Sequence, residues 1–72
     1  MEVDSKGNQY EEVETPAGKV RVTLVAEGWA GTKSIRIQTR DENGRLMQGP
    51  ELPLGTVGSM VGAIVSLLAN SP

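Results

Sequence analysis

Few residues of this chain are able to do chemistry. Its 72 residues include no histidine and no cysteine. The commonest general base, the commonest metal ligand, the thiolate nucleophile and the disulfide are therefore all missing. An active site would have to use carboxylates, Lys, Ser, Thr or the single Tyr. Glu11-Glu12-Glu14 clusters acids, and strand alternation would put Glu12 and Glu14 on one face. That pair reads as a solvated edge rather than as a general acid–base couple or a cation site. Asp41-x-Asn43-Gly44 has the opening of a calcium loop but not its full ligand pattern or closing Glu, and a hairpin turn accounts for it. Ser59 and Ser66 have no base to activate them. Gly55-x-x-Gly58-x-x-x-Gly62 lacks the preceding strand and the following Lys of a phosphate loop. The sequence therefore reads as non-catalytic, with no cofactor and no metal site.

The basic side chains are better placed than the total charge suggests. Seven Lys+Arg against nine Asp+Glu give a net charge of −2, so no overall excess draws the chain to nucleic acid. Yet alternation puts Lys19 and Arg21 on the polar side of one strand, and Arg36, Gln38 and Arg40 on the polar side of the next. Arg45 opens a third strand, and Trp29 and Lys33 lie in the loop between the first two. Neutralising a few phosphates would give salt-dependent, largely sequence-independent binding. An indole can stack an unpaired base for about 1–3 kcal/mol. The candidate nucleic-acid contacts are thus Lys19, Arg21, Trp29, Lys33, Arg36, Gln38, Arg40 and Arg45. The competing reading is an ordinary solvated sheet face with Trp29 folded over the core edge, its field diluted by Glu27, Asp41 and Glu42.

Positioning these groups falls to a single domain, residues 9–72, behind a flexible tail, residues 1–8. Gln9 to Thr15 is a weak strand candidate, and Pro16-Ala17-Gly18 supplies a turn. Lys19 to Ala26 alternates cleanly, with Val20, Val22, Leu24 and Ala26 on one side. Ser34 to Arg40 alternates again, with Ile35, Ile37 and Thr39 inward. Asp41-Glu42-Asn43-Gly44 predicts a tight hairpin, Asn-Gly favouring a type I′ turn. Gly49-Pro50 interrupts the returning strand, which is therefore expected at an edge or bulged. The fold class is α+β: a three- or four-stranded antiparallel meander in chain order followed by one C-terminal helix.

That helix is predicted over Val57 to Ala69, with Thr56 as N-cap, Asn70 in the left-handed region beyond its end, and Pro72 barring continuation. Its apolar residues cover an arc of roughly 160°. The opposite arc, Gly58, Ser59, Gly62, Ala63, Ser66 and Ala69, is small and uncharged. Each helix-interior Gly costs about 1 kcal/mol relative to Ala, and close helix–helix approach would offset that loss. A chain of this size with no disulfide also gains most simply from pairing. A homodimer or partner interface is expected on Gly58, Ser59, Gly62, Ala63 and Ser66. The predicted core is Val20, Val22, Leu24, Ile35, Ile37, Leu46, Leu52, Leu54, Val61, Ile64 and Leu68. The helix is too short to cross a bilayer, and the polar N-terminus lacks the apolar run of a signal peptide. A cytoplasmic setting, with no membrane partner, is the expectation.

Ile35-Arg36-Ile37-Gln38-Thr39-Arg40-Asp41, Gly44-Arg45-Leu46-Met47-Gln48-Gly49-Pro50 and Leu52-Pro53-Leu54 leading into the helix together resemble the PC4-like transcriptional coactivator family, over residues 35–68. The resemblance implies four antiparallel strands plus a helix, pairing through the helices, single-stranded nucleic-acid binding on the sheet and a role in transcription. The sequence departs from that pattern in its acidic balance, its scarcity of lysines and aromatics and its glycine-rich helix. The alternative function is a protein–protein or regulatory module, such as an inhibitor or adaptor, acting through the helix or an acidic surface.

Overall fold

Alternation from Lys19 onward builds the central strands of the sheet in the computed structural model, which describes residues 1–71. The strands are β1 (Glu2–Val3), β2 (Gln9–Thr15), β3 (Gly18–Val25), β4 (Ser34–Arg40) and β5 (Leu46–Pro53), followed by α1 (Leu54–Ala69). They form one five-stranded antiparallel sheet in chain order. The α+β meander is therefore as expected, but with more strands than the three or four predicted. The additional strand comes from the segment read as a tail, where Glu2 pairs with Tyr10 and Val3 with Gln9.

A turn too local to show in the hydrophobic pattern returns that first strand. Gly7 donates to the Asp4 carbonyl at 3.0 Å, Asp4 to the Asn8 carbonyl at 2.8 Å, and Asp4 Oδ1 accepts from the Lys6 and Asn8 amides. The same design recurs between β4 and β5, where Gly44 donates to Asp41 and Asp41 Oδ1 accepts from Asn43 and Arg45. It recurs again between β3 and β4, where Gly31 donates to Gly28 and Gly28 to Thr32. In all three the glycine alone takes positive φ, at 85°, 78° and 79° for Gly7, Gly44 and Gly31. This is a type I turn closed by a left-handed glycine. The type I′ expectation at Asn43-Gly44 is thus corrected, because Asn43 does not adopt positive φ.

Gly49-Pro50 does bulge the last strand: the β4–β5 register shifts between Arg36 and Gln38. A Cβ on Gly49 would collide with the Ile37 carbonyl, so the close backbone approach there requires glycine.

The helix departs most from expectation. It starts at Leu54 directly after Pro53, and Thr56 does not cap it; the Thr56 hydroxyl donates to the Pro53 carbonyl at 2.8 Å. Asn70 ends it at φ −99°, outside the left-handed region. Pro72, read above as the stop, lies outside the described residues. The helix approaches only β4 and β5, and none of its residues is buried. Leu54, Val61, Ile64 and Leu68 of the predicted core are exposed, Leu68 by 70%. Val20, Val22, Leu24, Ile35, Ile37 and Leu52 are only half-buried, because nothing in the single chain covers their face. Leu46 pairs with Arg40 and so belongs to the polar face. Among the described residues the one buried large apolar side chain is that of Val25. Among the described residues no helix is long and apolar enough to cross a membrane.

Candidate functional site

Strand register gathers the polar side chains into rows across one face. Tyr10, Thr23, Arg36 and Glu51 form one row; Glu12, Arg21, Gln38 and Gln48 the next; Glu14, Lys19, Arg40 and Leu46 the third. The five strand-borne candidates, Lys19, Arg21, Arg36, Gln38 and Arg40, are therefore brought together. Arg45 lies outside, exposed beside the β4–β5 turn. Trp29 stands at the rim, with the Arg36 guanidinium over its ring at 5.1 Å from the centroid. Lys33 is exposed in the same loop, and its carbonyl accepts the Leu54 amide that begins the helix.

Every cation in these rows faces a carboxylate. Glu12 Oε2 lies 3.3 Å from Arg40 Nε and 3.7 Å from Arg21 Nε. Glu14 pairs with Lys19 at 3.7 Å, and Glu51 with Arg36 at 2.8 Å. Four cations against three carboxylates leave this face at 4 − 3 = +1. The acids identified from sequence as diluting the field, Glu27, Asp41 and Glu42, form none of these ion pairs. Glu12 and Glu14 were traceable, since a hairpin through Pro16-Ala17-Gly18 sets them opposite Arg21 and Lys19. Glu51 was not, because the bulge at Gly49-Pro50 inverts which side of β5 faces outward.

With the Arg21, Arg36 and Arg40 side chains only 15%, 23% and 29% exposed, this is the better-sealed side of the sheet. Thr23 and Ser34 are buried there, at 4% and 1% exposure. The Arg21 guanidinium lies over the Tyr10 ring at 3.9 Å from its centroid, a stacked cation held where an ammonium would stay hydrated.

Glu51 makes two contacts of different kinds. Its Oε2 accepts from Arg36 Nε at 2.8 Å, and its Oε1 accepts from the Trp29 backbone amide at 2.6 Å. Its side chain is 5% exposed. Burial by itself raises the pKa of this carboxyl; the Arg36 and Trp29 hydrogen bonds outweigh that and hold it below the ordinary glutamate range. Gly28 sits so close that a Cβ would strike both the Glu51 carboxylate and the Ser34 hydroxyl.

On the opposite face, Val22, Leu24 and Ile35 line a hollow of about 190 Å³ with Met1, Gln9 and Glu11 at its edge. Gly58 and Gly62 look onto open space, and the small-residue arc is as uncovered as the apolar one.

No protein-family model, curated protein or solved structure matches the chain.

Proposed function

We propose that the chain is a non-catalytic binding module that pairs with a second copy through its helix and takes single-stranded nucleic acid on the polar face of its sheet. The observation that carries this reading is the convergence of Lys19, Arg21, Arg36 and Arg40 in register on one face, with Trp29 exposed at its rim. Planar guanidinium groups suit phosphates and stack on bases, and an exposed indole is the usual platform for an unpaired base. The facing carboxylates set the strength: phosphates must exchange with Glu12 and Glu14 for Lys19, Arg21 and Arg40, so binding is modest and falls steeply with salt. The sheet-then-helix order agrees with the PC4-like resemblance, from which a role in transcription is proposed.

Pairing is supported by the helix itself. Val61, Ile64, Val65, Leu67 and Leu68 are all more than half exposed, and burial of each side chain contributes about 1.5–3 kcal/mol. The same exposure favours the second reading, a protein–protein module whose helix engages a different chain. Fluorescence anisotropy with labelled oligonucleotides separates the two. Salt-sensitive binding, lost in the double variant Arg36→Ala, Arg40→Ala, supports the first. No binding at low salt removes it. Sedimentation of the same samples reports whether the chain is paired.

A further inference from the structure

We infer that Glu51 is a positioning residue whose buried carboxylate latches the 28–32 loop to the sheet, presenting Trp29 as a stacking platform for one nucleobase. The inference deepens the single-strand reading above and rests on it.

The main chain of this loop is fixed while its largest side chain is not covered. Gly28 donates to Thr32 at 2.8 Å and Gly31 to Gly28 at 2.9 Å. The Ser34 hydroxyl donates to the Thr32 carbonyl at 3.0 Å. Trp29 donates to Glu51 at 2.6 Å. Trp29 nevertheless remains 64% exposed. Ordering the main chain beneath an exposed aromatic loses conformational entropy with no packing gain from the ring in the free chain. The return comes on binding, because a preorganised platform does not have to be ordered by its ligand.

Charge identifies the ligand. The carboxylate that holds the Trp29 amide also holds Arg36, whose guanidinium lies over the indole. Lys33 is exposed in the same loop and has no ion pair among the described residues. An exposed flat ring with a guanidinium over it, in a loop that also carries an exposed lysine, matches a flat base on a phosphodiester backbone. Glu51 itself is too buried to touch that ligand and acts only through Trp29 and Arg36. The absent Cβ at Gly28 is the second half of the latch, since it lets the loop close onto the carboxylate.

A latch and a mere charge have opposite consequences. Removing a carboxylate from this face strengthens any purely electrostatic hold on a polyanion, whereas releasing the platform weakens stacking. Trp29 is the single tryptophan, so its fluorescence reports the site directly. Titrating the full chain with oligo-deoxythymidine should quench Trp29 saturably, while inorganic polyphosphate should not. Glu51→Ala should bind the oligonucleotide about tenfold more weakly despite its more favourable charge, the scale of one lost stacked base. Without ligand, exchange of the Trp29 backbone amide should speed up by about tenfold or more in Glu51→Ala, as a local opening is released. Glu51→Gln, which keeps a carbonyl acceptor, and Gly28→Ala, which forces the loop away with the carboxylate intact, provide separate variants should Glu51→Ala not fold. Unchanged amide exchange in Glu51→Ala and Gly28→Ala overturns the latch alone, Glu51→Gln being the control that retains an acceptor. Tighter oligonucleotide binding by Glu51→Ala overturns the positioning role. Equal quenching by polyphosphate overturns the base platform, and absence of any oligonucleotide binding by the wild type overturns it together with the reading it rests on.

Discussion

Arg40 and Glu12 meet above the polar face, Nε to Oε2 at 3.3 Å, although β3 runs between their strands and 28 residues separate them in sequence. The same carboxylate reaches Arg21 on the intervening strand. One glutamate thus ties three strands together and neutralises part of the surface assigned to phosphate binding. Stability and ligand affinity are set against each other at this residue.

Glu12→Gln should therefore change them in opposite directions. Both arginines keep their positions in the register but lose their shared counter-ion. Oligonucleotide affinity should rise and the slope of log affinity against log salt should steepen by about one. Stability should fall by about 1 kcal/mol or less, the usual worth of partly solvated pairs. Anisotropy over a salt series and urea unfolding provide the two measurements.

Gly49 and Gly55 should respond oppositely to alanine. A Cβ on Gly49 meets the Ile37 carbonyl, whereas one on Gly55 meets nothing. Gly49→Ala should cost about 1–3 kcal/mol through disruption of the bulge. Gly55→Ala, inside the helix, should gain up to about 1 kcal/mol. Urea midpoints that move in the same direction for both would contradict this account of the bulge.

Assembly should depend on which arc of the helix is altered. Gly62→Leu fills the small-residue arc and should convert a paired chain into single molecules if that arc is the contact. Ile64→Lys charges the apolar arc and tests that side independently. Sedimentation velocity at several concentrations gives both results, with far-UV circular dichroism showing whether the sheet persists.

Acid should destabilise the chain through two identified carboxylates. The Asn8 amide, followed by that of Lys6, holds the Asp4 carboxyl below its ordinary range, and Glu51 is lowered as described. A carboxyl with a depressed folded-state pKa contributes stability that is complete above its unfolded value, about 4. That contribution disappears as pH falls through the folded-state value. Urea midpoints should thus be level from neutrality to about pH 5 and drop below pH 4. The double variant Asp4→Asn, Glu51→Gln should show a shallower drop from a lower plateau.

Local rules read directly from the sequence account for much of the molecule. Period-two alternation in Lys19–Ala26 and Ser34–Arg40 placed Arg21, Arg36 and Arg40 on one face, and strand register agrees. The interruption at Gly49-Pro50 was legible because proline cannot donate to the ladder. The short β1 was not, since Glu2–Val3 has no pattern of its own and is held by a turn and two paired residues.

What the sequence by itself determined is which side chains alternate, where the chain reverses and that a terminal helix follows the sheet. Each of these depends on residues within a few positions of one another, so the local stereochemistry of the backbone is enough to specify it. Only the tertiary structure decided that Glu51 faces Arg36, because a single extra residue in a bulged strand reverses every side chain beyond it. It likewise decided that Glu12 bridges Arg21 and Arg40, a contact created by strand neighbourhood rather than by spacing. The helix shows the same division: its amphipathic pattern is written in its residues, but whether it folds back over the sheet depends on the path out of Pro53, and that path leaves both surfaces uncovered.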